Sequence, residues 1–138
     1  MLPRFVPRVL AGVLVCLAVL LTGCSSDRTG TPADASGSAA APSWAGGLAT
    51  VEVSRLPAEA RRTLELIDEG GPFPYDRDGV VFGNFERLLP SRERGYYHEY
   101  TVTTPGSPDR GARRLVTGRG GEIYYTDDHY DSFRAVLR

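Results

Sequence analysis

Large apolar residues crowd the start of the chain, almost vanish for the next two dozen positions, and then return in short periodic groups. Val9 to Leu21 is a compact apolar run behind Arg4 and Arg8, the build of an export signal. The run is shorter than the roughly 20 residues a membrane-crossing helix needs. Ser25 to Gly47 consists mostly of Ser, Ala, Gly, Thr and Pro with no hydrophobic period. That composition predicts a disordered tether, with a root-mean-square span of roughly 25–30 Å for a flexible chain. Its one aromatic, Trp44, is either incidental or a local packing anchor. From Leu48 the pattern is globular, and residues 48–138 are enough for one domain with a modest core. Ser54 to Glu69 is the one helix predicted. Pro57 lies near its first turn, Ala60, Leu64 and Ile67 share a face, and Gly70-Gly71-Pro72 ends it. Five strands are predicted after it, over Val80–Phe82, Tyr96–Thr104, Arg113–Thr117, Glu122–Thr126 and Ser132–Leu137. They are punctuated by Asp78-Gly79, Pro105-Gly106 and Gly118-Arg119-Gly120-Gly121. One helix followed by consecutive strands indicates an α+β fold with the helix packed on a twisted antiparallel sheet.

Cysteine usage refines the N-terminal reading. Cys16 lies within the apolar run, and Cys24 follows Leu21-Thr22-Gly23 directly. This junction resembles a bacterial lipobox, whose cysteine is diacylated and becomes the first mature residue; an ordinary cleaved signal or an apolar helix is the alternative. The expected organisation is a lipoprotein signal over 1–23, a lipidated Cys24 with its tether over 24–47, and the folded domain over 48–138. No cysteine then remains in the domain for a disulfide or a metal cluster, so its stability rests on packing. The 16 basic residues are all arginine, which fits a GC-rich coding bias and carries no functional meaning alone. Without Arg4 and Arg8, 14 arginines face 17 acids, a net charge near −3. A general nucleic-acid coat would be basic, so any RNA contact must be local.

Three groups of residues are candidates for chemistry. In Tyr97-His98-Glu99-Tyr100-Thr101-Val102, strand alternation puts Tyr100 and Val102 on the core side and Glu99 with Tyr97, Thr101 and Thr103 on the other. Glu99 is then either an exposed strand carboxylate, an ion-pair partner for an arginine of the following Arg113-Arg114 strand, or a general base. His129 follows Asp127-Asp128 and precedes Tyr130. It is a surface-turn histidine or a general acid whose pKa a nearby carboxylate would raise. A Glu and a His can hold opposite protonation states near neutrality, as general acid–base catalysis requires. Arginines such as Arg110, Arg113 and Arg114 can neutralise phosphate charge without a metal. His98 points away from Glu99 by alternation and is read as structural. Finally, Phe82-Gly83-Asn84-Phe85-Glu86 is either a plain turn or a loop that offers backbone donors and a carboxylate. That second set complements the guanine edge and rejects adenine.

Taken in order, several of these runs resemble the small guanyl-specific microbial ribonucleases, the family of barnase and the ribonuclease Sa group. The resemblance covers roughly Val51 to Leu137. It rests on Leu56-Pro57-Ala58-Glu59-Ala60, Gly71-Pro72-Phe73-Pro74-Tyr75, Asp78-Gly79-Val80-Val81-Phe82, Asn84, Glu86, Leu89-Pro90, Gly95 to Val102, Thr104-Pro105-Gly106, Arg110-Gly111, Arg113-Arg114 and Asp128-His129-Tyr130. It implies the microbial ribonuclease fold and an endoribonuclease that cuts single-stranded RNA 3′ to guanosine. The cut would proceed by transesterification to a 2′,3′-cyclic phosphate followed by hydrolysis, with no cofactor and no metal. It implies Glu99 as base, His129 as acid, and Arg110 and Arg114 on the scissile phosphate with Tyr130 beside it. Guanine would lie against Phe82 and be read by the backbone of Gly83, Asn84 and Phe85 and by the Glu86 carboxylate. Arg113 is left out of this set.

The chain departs from that pattern in places. Disulfide-bonded members have a cysteine where this chain has Glu52 and another near the C-terminus, and the end here, Ser132 to Arg138, is closer to barnase. Loss of such a bridge typically lowers stability by about 2–5 kcal/mol. Gly83 and Phe85 replace larger or polar residues, and Phe85 either adds stacking surface or loosens base selection. A monomer outside the cell membrane is expected, held by a lipid or released, and an intracellular barstar-like inhibitor is a candidate partner. Two other readings remain: an interbacterial toxin using the same chemistry, and an inactive surface module that binds RNA or protein. Cleavage of a guanylyl dinucleotide separates the last from the rest.

Overall fold

The computed structural model describes residues 40–138; the expected signal, Cys24 and most of the expected tether lie outside them. Folding begins earlier than Leu48. Ser43–Ala45 form a 3-10 turn closed by left-handed Gly46. Ala45 is fully buried, the Trp44 ring meets Tyr124 edge-on at 5.8 Å, and the Tyr124 hydroxyl donates to the Trp44 carbonyl at 3.0 Å. Trp44 is therefore a packing anchor, and the expected boundary at Leu48 falls inside the fold.

Strand β1 (Thr50–Glu52) comes first and a 3-10 turn over Val53–Arg55 leads to helix α1 (Ala58–Glu69). The predicted helix over Ser54–Glu69 thus starts four residues late. Pro57 caps it with extended backbone, because proline fixes φ and lacks the N–H that the first turn leaves unused. At the other end Gly70, at φ 78°, returns N–H groups with Gly71 to the Ile67 and Leu66 carbonyls, the left-handed stop that glycine favours. The remaining strands are β2 (Val80–Phe82), β3 (Tyr97–Thr101), β4 (Arg114–Gly118), β5 (Ile123–Thr126) and β6 (Arg134–Leu137). They form one sheet in the order β1-β6-β5-β4-β3-β2. The β2 to β6 pairings are antiparallel as expected, but β1 runs parallel to β6, with Val51 opposite Val136. The sheet is mixed for that reason.

Both faces of the sheet are covered. Leu56, Ala60 and Leu64 from the helical side pack on Val102, Leu115, Ile123, Tyr125 and Val136. On the opposite face Ala45, Leu89 and Phe133 cover Tyr97, Val116, Tyr124 and Ala135. Residues of both parities are therefore buried in β4 and β5, and these strands read as apolar clusters rather than clean alternation. One end of the second face is left open, and the candidate site lies there.

Candidate active site

Strand β3 places Glu99 between Tyr97 and Thr101 on the second face, as alternation requires. That face is not the exposed one that an ordinary strand carboxylate would occupy, since Glu99 is only 7% exposed. A buried carboxylate needs partners, and it has two. The Tyr130 hydroxyl donates to Oε2 at 2.8 Å, and the Arg110 guanidinium lies 4.0 Å from Oε1. Register sets the next neighbour: Thr101 faces Arg114 across the β3–β4 pair, so Arg114 shares the Glu99 face. Arg113 points the other way, 3.8 Å from Glu59 of the helix, and does not enter the site.

The two site arginines are held by protein oxygens. Arg110 donates through Nε and Nη2 to Thr101 Oγ1 at 3.0 and 2.7 Å. Arg114, 3% exposed, donates through Nη1 to the Arg113, Gly111 and Arg110 carbonyls at 2.7, 2.8 and 3.3 Å. Its Nε donates to the Tyr130 hydroxyl at 3.1 Å. Tyr130 thus accepts from Arg114 and donates to Glu99, a relay that couples cation to carboxylate. Burial first, and then the Glu99 hydrogen bond, push the Tyr130 phenol above its usual pKa, so it stays protonated and keeps donating.

His129 and Tyr130 sit in a turn after β5 with left-handed backbone, φ 60° and 74°. Few non-glycine residues adopt that region, and surrounding bonds must hold it. Asp128 supplies most of them. Its Oδ1 accepts from Thr126 Oγ1 at 2.8 Å and from the Ser132 N–H at 2.9 Å, and its Oδ2 accepts from the Ser132 hydroxyl. Thr126 Oγ1 in turn accepts from the Tyr130 N–H at 3.1 Å, and the His129 N–H reaches the Ala112 carbonyl at 3.2 Å. The Ser132 bonds hold the Asp128 carboxyl down at about 2, below its ordinary 3.8. A depressed folded-state pKa adds stability above the unfolded value that is lost as pH falls toward the folded one. The stability gap between the parent and Asp128→Asn is therefore expected to be full above about pH 4 and to close toward pH 2. Urea unfolding across that range checks this, and a gap constant with pH would refute it.

The Phe82–Glu86 segment borders the same space. Phe82 stacks on Tyr130 with ring centres 5.5 Å apart. Asn84, at φ 48°, turns its side chain inward: Nδ2 donates to the Leu89 carbonyl at 2.9 Å and Oδ1 accepts the Leu89 N–H at 3.0 Å. Only its backbone remains for a ligand. The Phe85 ring folds over Gly83, where a Cβ would collide with it, and is 89% exposed. Phe82, Gly83, Phe85, Glu86, Glu99, Arg110, Arg114, His129 and Tyr130 line one open cleft of about 470 Å³, together with Arg77, Val81 and Asp131. Every expected catalytic residue is thus gathered in it. His98 lies on the other face of β3, as read. Thr101, Thr126 and Asp128 organise the site without having been singled out for that role, as does Asp78, whose Oδ1 accepts the Thr101 N–H at 2.6 Å. An Asp before Gly79 and threonines alternating with the functional residues are the only local signals they carry.

Comparison with known proteins agrees with this geometry. The ribonuclease family matches the chain over residues 38–137. Guanyl-specific ribonuclease Sa3 of Kitasatospora aureofaciens is 68% identical over 84 residues, 60% of each chain, so less than two thirds of that relative is spanned. Guanyl-specific ribonuclease St of Saccharopolyspora erythraea is 57% identical over 91 residues, 66% of this chain and 90% of that one. The crystal structure of ribonuclease Sa2 with guanosine-2′-cyclophosphate superposes with a TM-score of 0.63 at 54% identity, covering 65% of this chain and 96% of that one. The fold is ribonuclease Sa-like, and the chain belongs to the ribonuclease family.

Proposed function

We propose that this chain cuts single-stranded RNA on the 3′ side of guanosine. The observation that carries the proposal is the meeting of Glu99, Arg110, Arg114, His129 and Tyr130 in one cleft beside the Phe82–Glu86 loop. Glu99 removes the proton of the 2′-hydroxyl, and that oxygen bonds to the adjacent phosphorus. The bond from phosphorus to the 5′ oxygen breaks, and His129 delivers a proton to that leaving oxygen. Arg110 and Arg114 stand fixed beside Glu99, so donors for the developing charge need no reorganisation. Tyr130 keeps the Glu99 carboxylate oriented. In the second half His129 takes a proton from water, whose oxygen attacks the cyclic phosphate. The P–O2′ bond opens, Glu99 returns its proton to O2′, and a 3′-phosphate remains. The single strand is required because an edge-read base must leave its stack. Two relatives named guanyl-specific and the solved complex with a guanosine cyclic phosphate agree with this choice of base. Turnover of guanylyl but not adenylyl dinucleotides by residues 40–138 tests the reading. Within it, Glu86→Gln exchanges an acceptor for a mixed donor–acceptor, and guanine preference is expected to narrow by about 1–3 kcal/mol. An unchanged ratio of guanylyl to adenylyl rates would exclude Glu86 as the reader.

The same proposal includes export and anchoring by a lipid on Cys24, supported by Leu21-Thr22-Gly23-Cys24 between an apolar run and a polar tract. Two acyl chains hold a protein at a membrane where one binds only marginally. Cys24→Ala in the full chain is expected to abolish fatty-acid labelling and to leave dinucleotide turnover unchanged, since position 24 lies outside the residues that match the ribonuclease family. Wholly unlabelled parent protein in the medium would identify an ordinary secreted enzyme.

A further inference from the structure

We infer that Asp109 is a positioning residue for the reaction: its carboxylate fixes the peptide unit between Arg110 and Gly111, and that unit aims both arginines of the site. The inference rests on the proposed ribonuclease reading. Arg110 is joined to the unit through its own Cα, and its guanidinium lies on Thr101 Oγ1, 4.0 Å from Glu99. Arg114 is joined to it through space. Its Nη1 donates to the Arg110 carbonyl at 3.3 Å and to the Gly111 carbonyl at 2.8 Å. A trans peptide unit is planar, so its N–H and C=O point in opposite directions. Whatever holds the Gly111 N–H therefore also sets the direction of the Arg110 carbonyl, one of the anchors of Arg114.

Asp109 supplies that hold. Its Oδ1 accepts the Gly111 N–H at 2.8 Å and the Ser107 hydroxyl at 2.8 Å, bonds that the negative charge strengthens. The Gly111 bond first, and then the Ser107 bond, keep the Asp109 carboxyl below its ordinary pKa, so the anion persists at neutral pH. The unit has little other support. Gly111 sits at φ 60°, and a Cβ there would collide with Thr104 Oγ1 and Cβ. Only glycine fits, and glycine has the most backbone freedom to lose. Thr104 Oγ1 is buried with no hydrogen-bond partner among the described residues, so it fills the space beside Gly111 without fixing its N–H. No helix or strand forms between Thr101 and Arg114, and Pro105 and Pro108 have no N–H to donate. The Ser107 N–H does reach the Thr104 carbonyl at 3.0 Å, which makes 104–107 a turn. One Asp109 oxygen thus ties that turn to the Arg110–Gly111 unit. Asp109 is exposed and, among the described residues, forms no ion pair. Its bonds serve the loop.

The experiment compares Asp109→Ala, Asp109→Asn, Asp109→Glu and Ser107→Ala with the parent in the full chain. It measures cleavage of GpU and the binding of 3′-GMP and of guanosine, with circular dichroism to check the fold. Asp109→Ala is expected to lower kcat/KM on GpU by about tenfold, the scale of a lost hydrogen bond to a charged group and of slightly misplaced catalytic groups. Affinity for 3′-GMP should fall with it. Affinity for guanosine, which carries no phosphate for the arginines, should not. Asp109→Asn keeps an oxygen that accepts both donors and should recover most of the loss. Asp109→Glu keeps the charge on a longer stem that misplaces it, so it should lose as Asp109→Ala does, and it carries the test if Asp109→Ala unfolds. Ser107→Ala removes the other bond to Asp109 and leaves the Gly111 one, so its kcat/KM should stay close to the parent's. In an Arg110→Ala background Asp109→Ala should cost less than in the parent, because coupled positions do not add. Equal losses of 3′-GMP and guanosine affinity would overturn the inference and leave Asp109 a matter of loop stability. So would a Ser107→Ala loss as large as that of Asp109→Ala, or full additivity with Arg110→Ala. If the folded parent cleaves no GpU, the ribonuclease reading itself fails, an outcome distinct from these.

Discussion

Glu99→Gln is expected to lower kcat on a guanylyl dinucleotide by about 10²–10⁴-fold, the usual worth of a positioned general base, while the domain stays folded. Glutamine keeps the volume of the side chain, and its carbonyl can still accept the Tyr130 hydroxyl that reaches Glu99 at 2.8 Å. What disappears is the capacity to take a proton. His129→Gln removes the proposed partner acid, and a fall of the same order is expected. The exposed position of His129 leaves little packing to lose. The double variant should lose far less than the product of the two single effects, since groups acting on one proton path fail as a unit. Steady-state turnover, with circular dichroism to confirm the fold, checks all three. A loss below tenfold in either single variant would remove that residue from the mechanism.

Arg114→Lys is the second large effect expected, about 10²–10³-fold in kcat, as for removal of a preorganised donor to developing oxyanion charge. The change keeps the charge but not the planar fork. One nitrogen of Arg114 already serves three backbone carbonyls, and another holds the Tyr130 hydroxyl. A single ammonium cannot serve those carbonyls, Tyr130 and a phosphate together. Because Arg114 is 3% exposed, the orphaned acceptors are buried, and a stability loss of about 2 kcal/mol should accompany the kinetic one. Arg113→Lys is the control: its partner is Glu59 on the helix face, and turnover should hardly move. A parental kcat in Arg114→Lys would show that charge alone, and not the fork, matters at position 114.

The parts of the fold that sequence pattern revealed are the local ones. A helix ending at Gly70 and the β2 strand of Val80–Phe82 follow from spacing and breakers, as does the placement of Glu99 opposite Tyr100 and Val102. Strand β1 stayed hidden. Three residues are too few to establish an alternation, and their partner β6 comes from the far end of the chain. The burial of Glu99 was equally illegible, because the groups that meet its carboxylate, Arg110 and Tyr130, come from two loops later in the chain. Arg113 and Arg114 look alike in a string, and only strand register separates the helix contact from the site. The left-handed turn at His129 could not be read either, since neither His nor Tyr advertises a positive φ. The bracing by Asp128 and Thr126 is an outcome of that geometry.

That turn sets resilience against activity at one exposed position. His129 and Tyr130 occupy backbone at φ 60° and 74°, and at exposed His129 glycine would relieve about 1 kcal/mol of strain. At Tyr130 it would instead remove the stack on Phe82 and the partner of buried Glu99 and Arg114. Selection for heat tolerance alone would drive position 129 toward glycine and erase the proposed proton donor. Random stabilising variants of this domain should therefore divide sharply by location. Gains on the helix-facing side are expected to leave turnover intact, and gains mapped to 129 to abolish it. Hardening the domain without disarming it means reinforcing the brace around the turn rather than relaxing the turn itself.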